Sequence, residues 1–168
     1  IRLGSLEPDL LTDDMIERLS KLPKLCPHFH ISLQSGCGRT LTSMNRRYTT
    51  AEFEAAVNTI RGAFPGAAIT TDVIAGFPGE TQADFEESLA FVQKIAFEKV
   101  HVFPFSARPG TAAAQLPGAV DSGTIQKRCR ELGAAAQEIR SDFLRRQIGT
   151  TVKVLLEQLA VPVQTGEP

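Results

Sequence analysis

The 168 residues are 42% apolar and 22% charged, enough to enclose one core, and 18 Lys and Arg against 19 Asp and Glu leave a net charge of -1. That balance excludes attraction of nucleic acid by the chain as a whole, so any RNA contact has to come from a local patch. No apolar run reaches bilayer length and no secretory pattern is present, while Cys26, Cys37 and Cys129 fit neither a disulfide framework nor metal-ligand spacing; the expectation is a cytoplasmic protein with no membrane partner and reduced thiols.

In chain order, Ile1 to Leu6, Phe29 to Leu33, Ala68 to Ile74 and Val100 to Phe105 read as buried strands, each β-branched or aromatic in character. Helical patterns follow the first three. Thr12 caps a stretch with Met15, Ile16 and Leu19 on one face, Thr50 opens one through Phe53, Val57 and Ile60, and Thr81 opens one through Phe85, Leu89, Val92 and Ile95. Strand starts recur at the spacing of a βαβ unit, about 30–40 residues, which predicts a parallel sheet. After the fourth strand come a turn-rich stretch, Ser106 to Thr111, and a long polar helix from about Asp121 to Gln147. Its many arginines are what a solvated face on a packing helix would carry. The chain does not begin with Met, Ile1 to Leu3 reads as a strand under way, and Gly149 to Glu157 alternates like a new strand; both ends are expected to be cuts through a larger protein.

Parallel strands present their functional loops at their C-terminal ends. Glu7-Pro8, Gln34 to Gly38, Gly76 to Thr81 and Ser106 to Thr111 all fall there, on one rim. Gln34 and Ser35 offer hydrogen bonds to a polar ligand, and Arg46, with Arg47, follows on a short helical stretch that brings a guanidinium toward a carboxylate or phosphate. Gly76 and Gly79 let backbone approach a flat ligand beside the apolar Phe77, although a plain strand-to-helix turn would use the same residues. His28, His30 and His101 lack ligand spacing and read as structural histidines rather than a metal site; Cys37 reads as a small turn residue.

Taken together, Ile31-Ser32-Leu33-Gln34-Ser35-Gly36-Cys37, Met44-Asn45-Arg46-Arg47-Tyr48-Thr49, Thr71 to Thr81 and Phe105 to Ala113 resemble, in order and spacing, the methylthiotransferase family of radical S-adenosylmethionine (SAM) enzymes. The Ser-Gly-Cys loop and the opening Arg2-Leu3-Gly4-Ser5-Leu6-Glu7-Pro8 are most similar to the MtaB-like branch, which acts on N6-threonylcarbamoyladenosine beside the tRNA anticodon. The resemblance implies an α/β fold, the C-terminal part of a partial (β/α)6 TIM-like barrel with about four parallel strands, over residues 1–148, and the start of a truncated TRAM-like domain at 149–168.

It further implies that SAM lies across the rim, with Gln34 and Ser35 on its polar part and Arg46 on its carboxylate. Asp72, Ile74, Gly76, Phe77, Phe105 and Ser106 would line ribose and adenine. Arg140, Arg145 and Arg146 are expected to contact the tRNA, and the uncovered edge of the half-barrel invites self-association. In the complete enzyme SAM would be cleaved reductively at a [4Fe-4S] cluster, whose Cys-x3-Cys-x2-Cys ligands this chain lacks, so the chain alone is expected to be inactive. A methylthiotransferase acting on a ribosomal protein and a non-catalytic βα scaffold that binds a nucleotide or partner remain as alternatives.

Overall fold

The computed structural model describes residues 1–151. Four strands, β1 (Ser5–Leu6), β2 (His28–Ile31), β3 (Ala68–Ala75) and β4 (Lys99–Pro104), form one parallel sheet in the order β1-β2-β3-β4. Neighbours in sequence are neighbours in the sheet, so every crossover advances in one direction and puts its helix on one face, the winding of a barrel rather than of a doubly wound sheet. Five helices make these crossovers and the C-terminal brace: α1 (Asp13–Ser20), α2 (Gly38–Ser43), α3 (Thr50–Ala63), α4 (Gln82–Ile95) and α5 (Ser122–Gln147).

Strand alternation separates two faces. Phe29, Ile31, Ile69, Val73 and Ala75 point at the helices and are buried with Ile16, Phe53, Val57, Ile60, Phe85, Val92 and Leu132. The opposite set, His28, His30, Thr70, Asp72, His101 and Phe103, lines a polar groove of about 770 Å³. The sheet is therefore a wall with one apolar and one wet side, as a barrel wall facing a ligand lumen requires.

The capping residues Thr12, Thr81 and Asp121 sit where the sequence places them, each side chain accepting a backbone N–H of the first turn. The third helix opens at Thr50 as expected, and the residue before it, Thr49, is its cap, completing a capping box with Glu52. The first strand is only two residues long, against an expected six, pairing Ser5 with His30 and Leu6 with Ile31. The expected TRAM-like segment, apart from residues 149–151, lies outside the described residues.

Arg39 of α2 ties the rim to α4. Its guanidinium pairs with Asp84 and donates to the Gly79 carbonyl at 2.7 Å, while the Asp84 carboxylate also caps Thr81. Arg39 holds the Asp84 carboxyl well below the usual carboxylate range, with the Thr81 hydrogen bonds acting in the same direction. Asp84→Asn is expected to lower the melting midpoint by roughly 3–10 °C at pH 7, since charge-assisted hydrogen bonds contribute about 1.5–3 kcal/mol. Because the folded carboxyl titrates below its unfolded value, that contribution is complete above about pH 4 and is lost as pH falls toward the folded value. The gap between parent and variant in thermal melts therefore narrows below about pH 4; a gap constant from neutral pH into strong acid would contradict it.

Candidate functional site

The four rim loops are shaped by local backbone chemistry. Gln34 adds a rung beyond the end of β2, donating N–H to Asp72 O and accepting from Ile74 N–H, both at 2.9 Å. It does so at φ 64°, in the left-handed region that a non-glycine residue seldom occupies. The Thr71 hydroxyl patches the irregularity just before it, accepting from Leu33 N–H at 3.1 Å and donating to Ile31 O at 2.6 Å. Ser35 is 1% exposed and its hydroxyl accepts from Cys37 N–H, so its side chain serves the turn. Gly36 passes so close to α4 that a Cβ would lie 2.7 Å from Ser88 O, and its N–H donates to Ser88 Oγ.

Arg46 reaches the rim by a helix-ending device that sequence reasoning missed. The expected helical stretch stops at Ser43; Asn45 is left-handed at φ 56° and donates to Thr42 O, and Arg46 N–H donates back to Leu41 O. This 6→1 plus 5→2 pattern reverses the chain. It delivers the Arg46 side chain to Glu7 after β1, with Nη1 to Oε1 at 3.3 Å. Arg46 Nε is buried and has no partner among the described residues. Tyr48 locks the same loop down, its buried hydroxyl donating to Ser32 O at 2.8 Å with Leu33 O at 3.2 Å; burial pushes its phenol up to about 12.

Gly76, at φ 80°, requires glycine, but the space beside it is taken by α5: a Cβ would meet Ile125 Cγ1 at 2.3 Å. Any ligand contact there is through backbone, and a larger residue would first disturb the packing of α5. Phe77, nearly buried, meets Phe105 edge-on with ring centroids 5.3 Å apart. Phe105 N–H extends the ladder to Ala75 O at 2.8 Å, and Ser106 beyond it is exposed. Asp72 and Ile74 lie on the groove side of β3. The rim thus carries a carboxylate and a guanidinium after β1 and β2, and backbone with an aromatic pair after β3 and β4, spread over about 14 Å at ordinary strand spacing.

Within the groove the histidines are less scattered than their spacing implies. Ligand atoms of His30, Asp72 and His101 lie within 4.8 Å of one another, brought together by three adjacent strands. Two imidazoles and a carboxylate are a transition-metal donor set. His30 is already engaged, with Nε2 3.3 Å from Asp72 Oδ2 and Nδ1 2.9 Å from Thr70 Oγ1. The three cysteines stay on separate elements, and among the described residues they form no metal-ligating group. Buried Cys37 points its thiol at Asp84 and Glu87, and burial pushes its pKa up.

The three basic residues expected at RNA lie away from the rim. From Ile125 beside Gly76 to Arg140 beside Glu98, α5 descends about 22 Å to the other end of the sheet. Arg140 pairs with Glu98 at 4.0 Å, Arg145 with Asp142 at 2.6 Å, and Arg146 stacks 5.9 Å from the Phe143 ring.

Comparison with known proteins places this architecture. The chain is 40% identical over 157 residues, 94% of its length, to threonylcarbamoyladenosine tRNA methylthiotransferase MtaB of Thermotoga maritima, of which it covers 36%. It is also 40% identical over 156 residues to tRNA-2-methylthio-N(6)-dimethylallyladenosine synthase of Mycobacteroides abscessus, covering 93% of itself and 31% of that protein. The chain spans about a third of the length of the curated relatives it matches. Among solved structures, the coproporphyrinogen III oxidase HemN of Escherichia coli, a radical SAM enzyme, superposes with a TM-score of 0.67 at 18% identity, covering 80% of this chain and 31% of that one. A radical SAM methyltransferase of Sphaerobacter thermophilus gives 0.51 at 22% identity, covering 74% of this chain and 36% of that one. These two likenesses show the fold. The radical SAM superfamily profile matches residues 4–92, more than half of the sequence, and the chain belongs to that superfamily.

Proposed function

We propose that the complete protein is a tRNA methylthiotransferase that adds a methylthio group to N6-threonylcarbamoyladenosine beside the anticodon, and that this chain supplies the SAM-binding half of its barrel. The observation that carries the reading is identity of 40% across 94% of the chain to an enzyme of that name. The synthase acting by its name on dimethylallyladenosine is as similar, at 40%, so the dimethylallyl nucleoside is the second reading. Mass spectrometry of tRNA nucleosides from cells lacking the gene and complemented with the complete enzyme separates the two. Return of the methylthio-threonylcarbamoyl nucleoside supports the first, and return of the dimethylallyl derivative alone the second. No change in either supports the ribosomal-protein or non-catalytic alternatives.

The superfamily brings SAM and a [4Fe-4S] cluster as cofactors. The rim fits SAM on one observation above others: Arg46 Nε is a buried donor without a partner, at the mouth of the β1 and β2 loops. A ligand carboxylate there would satisfy it while Glu7 accepts from an ammonium group. Gln34, the backbone of Gly76, Phe77 and Phe105 would hold the nucleoside end, with Ser106 at its edge. Asp72, with Ile74 beside it on β3, would reach the sugar from the groove, and Ser35 would act through the shape of its turn. When bound, SAM and the cluster would supply radical chemistry toward an adenine C–H bond. The cysteines of this chain provide no ligand set for the cluster, so catalysis belongs to the complete protein.

Arg46→Ala in the complete enzyme is expected to weaken SAM binding by roughly ten-fold or more, the loss of a charge-assisted hydrogen bond worth about 1.5–3 kcal/mol. Calorimetry giving an unchanged Kd would remove the carboxylate role. RNA contact is read at the lower end of α5. Neutralising Arg140, Arg145 and Arg146 together is expected to weaken tRNA binding and reduce the slope of log K against log salt by up to about three. A slope equal to the parent's would assign those residues to a solvated helix face.

A further inference from the structure

Arg128 of α5 and Glu80 form an ion pair that water does not reach. Their side chains are 6% and 2% exposed, and Arg128 Nη1 donates to Glu80 Oε1 at 2.7 Å and to the Glu80 backbone oxygen at 3.2 Å. The same carboxylate oxygen accepts the N–H of Gly76 at 3.1 Å, closing the loop from its last residue back to its first. The Arg128 guanidinium carbon sits 5.4 Å from the centre of the Phe85 ring, and its Nε is buried without a partner among the described residues. Burial raises the Glu80 carboxyl pKa, against the opposing pull of the Gly76 N–H and of Arg128.

A buried pair of this kind contributes little net stability, because desolvating both charges offsets their attraction, and apolar residues of the same shape would pack as well. Its effect is geometric. Two further contacts from the same stretch of chain meet the same loop: Gly118 O accepts the Gly79 N–H at 2.7 Å, and Ile125 fills the space beside Gly76. Residues 118–128 therefore grip residues 76–80 at both ends and in the middle.

We propose that Arg128, acting through Glu80, is a positioning residue for ligand binding: it fixes the Gly76–Glu80 backbone in its binding shape, so that the adenosine end of SAM meets a loop already ordered. Preorganisation of this sort raises affinity by removing an ordering cost rather than by adding a contact. The proposal rests on the reading of the rim as the SAM site.

The test uses the complete enzyme carrying Glu80→Gln with Arg128→Met, which removes both charges and leaves no unpaired buried ion. Its melting midpoint is expected to stay within about 3 °C of the parent. Amide hydrogen exchange in the peptide spanning residues 76–80 is expected to rise about ten-fold with β2 unchanged, and the Kd for SAM to rise about ten-fold. Arg128→Lys, which keeps the charge but loses the planar guanidinium packed against Phe85, is expected to fall between parent and double variant and gives the same readout should the double variant fail to fold. Unchanged exchange in the loop overturns the positioning role and leaves the rim reading standing. Faster exchange with unchanged SAM affinity, matched by unchanged affinity in Arg46→Ala, overturns the rim reading and the proposal with it.

Discussion

The Gln34 backbone carries the last rung of the β2 and β3 ladder, donating to Asp72 O and accepting from Ile74 N–H in a left-handed conformation. A parallel strand that ends this way has to leave the sheet at once, and each later feature of the rim is a response to that exit. Ser35 tightens the turn, Gly36 slides under α4 where no side chain fits, and Tyr48 reaches back to the Ser32 and Leu33 carbonyls. The short α2 then ends on Asn45 and returns Arg46 to the mouth of β1. Backbone pairing, rather than packing, decides where the rim groups stand.

Three arginines divide the work around this rim. Arg39 and Arg128 are spent on protein: one pairs with Asp84 and the Gly79 carbonyl, the other with Glu80, and between them they hold the Gly76 to Thr81 segment from the α2 and α5 sides. Arg46 keeps a buried Nε in reserve, its only ion pair among the described residues being a 3.3 Å contact to a half-exposed Glu7. An unpartnered buried donor is costly to leave unmade, which is why it points to a ligand. Arg128 Nε is likewise unpartnered, but it lies behind the loop, packed on Phe85, where it answers to folding.

Much of this was legible in the sequence. The strands follow from runs of β-branched and aromatic residues, and the caps Thr12 and Thr81 from short-range chemistry that depends on three or four neighbours. The grouping of the four loops on one rim followed from parallel topology alone. What escaped depends on contacts between distant segments or on backbone conformation. The Asn45 reversal is a left-handed residue with no glycine to announce it. His30, Asp72 and His101 meet only because three strands stack in register. Ile125 against Gly76 turned a glycine that reads as ligand space into one that reads as helix packing, because nothing in the loop itself says which side of it is covered.

Arg140, Arg145 and Arg146 stand at the foot of α5, about 22 Å from the rim, so on the proposed reading one surface would serve chemistry and the other tRNA phosphate. The most direct measurement is the structure of the complete enzyme with SAM bound. The expected result is a methionyl carboxylate accepting from Arg46 Nε, with adenine against the Gly76 and Phe77 backbone and the Gly76–Glu80 loop unmoved. SAM bound with its carboxylate elsewhere and Arg46 Nε still unpartnered would contradict the central claim.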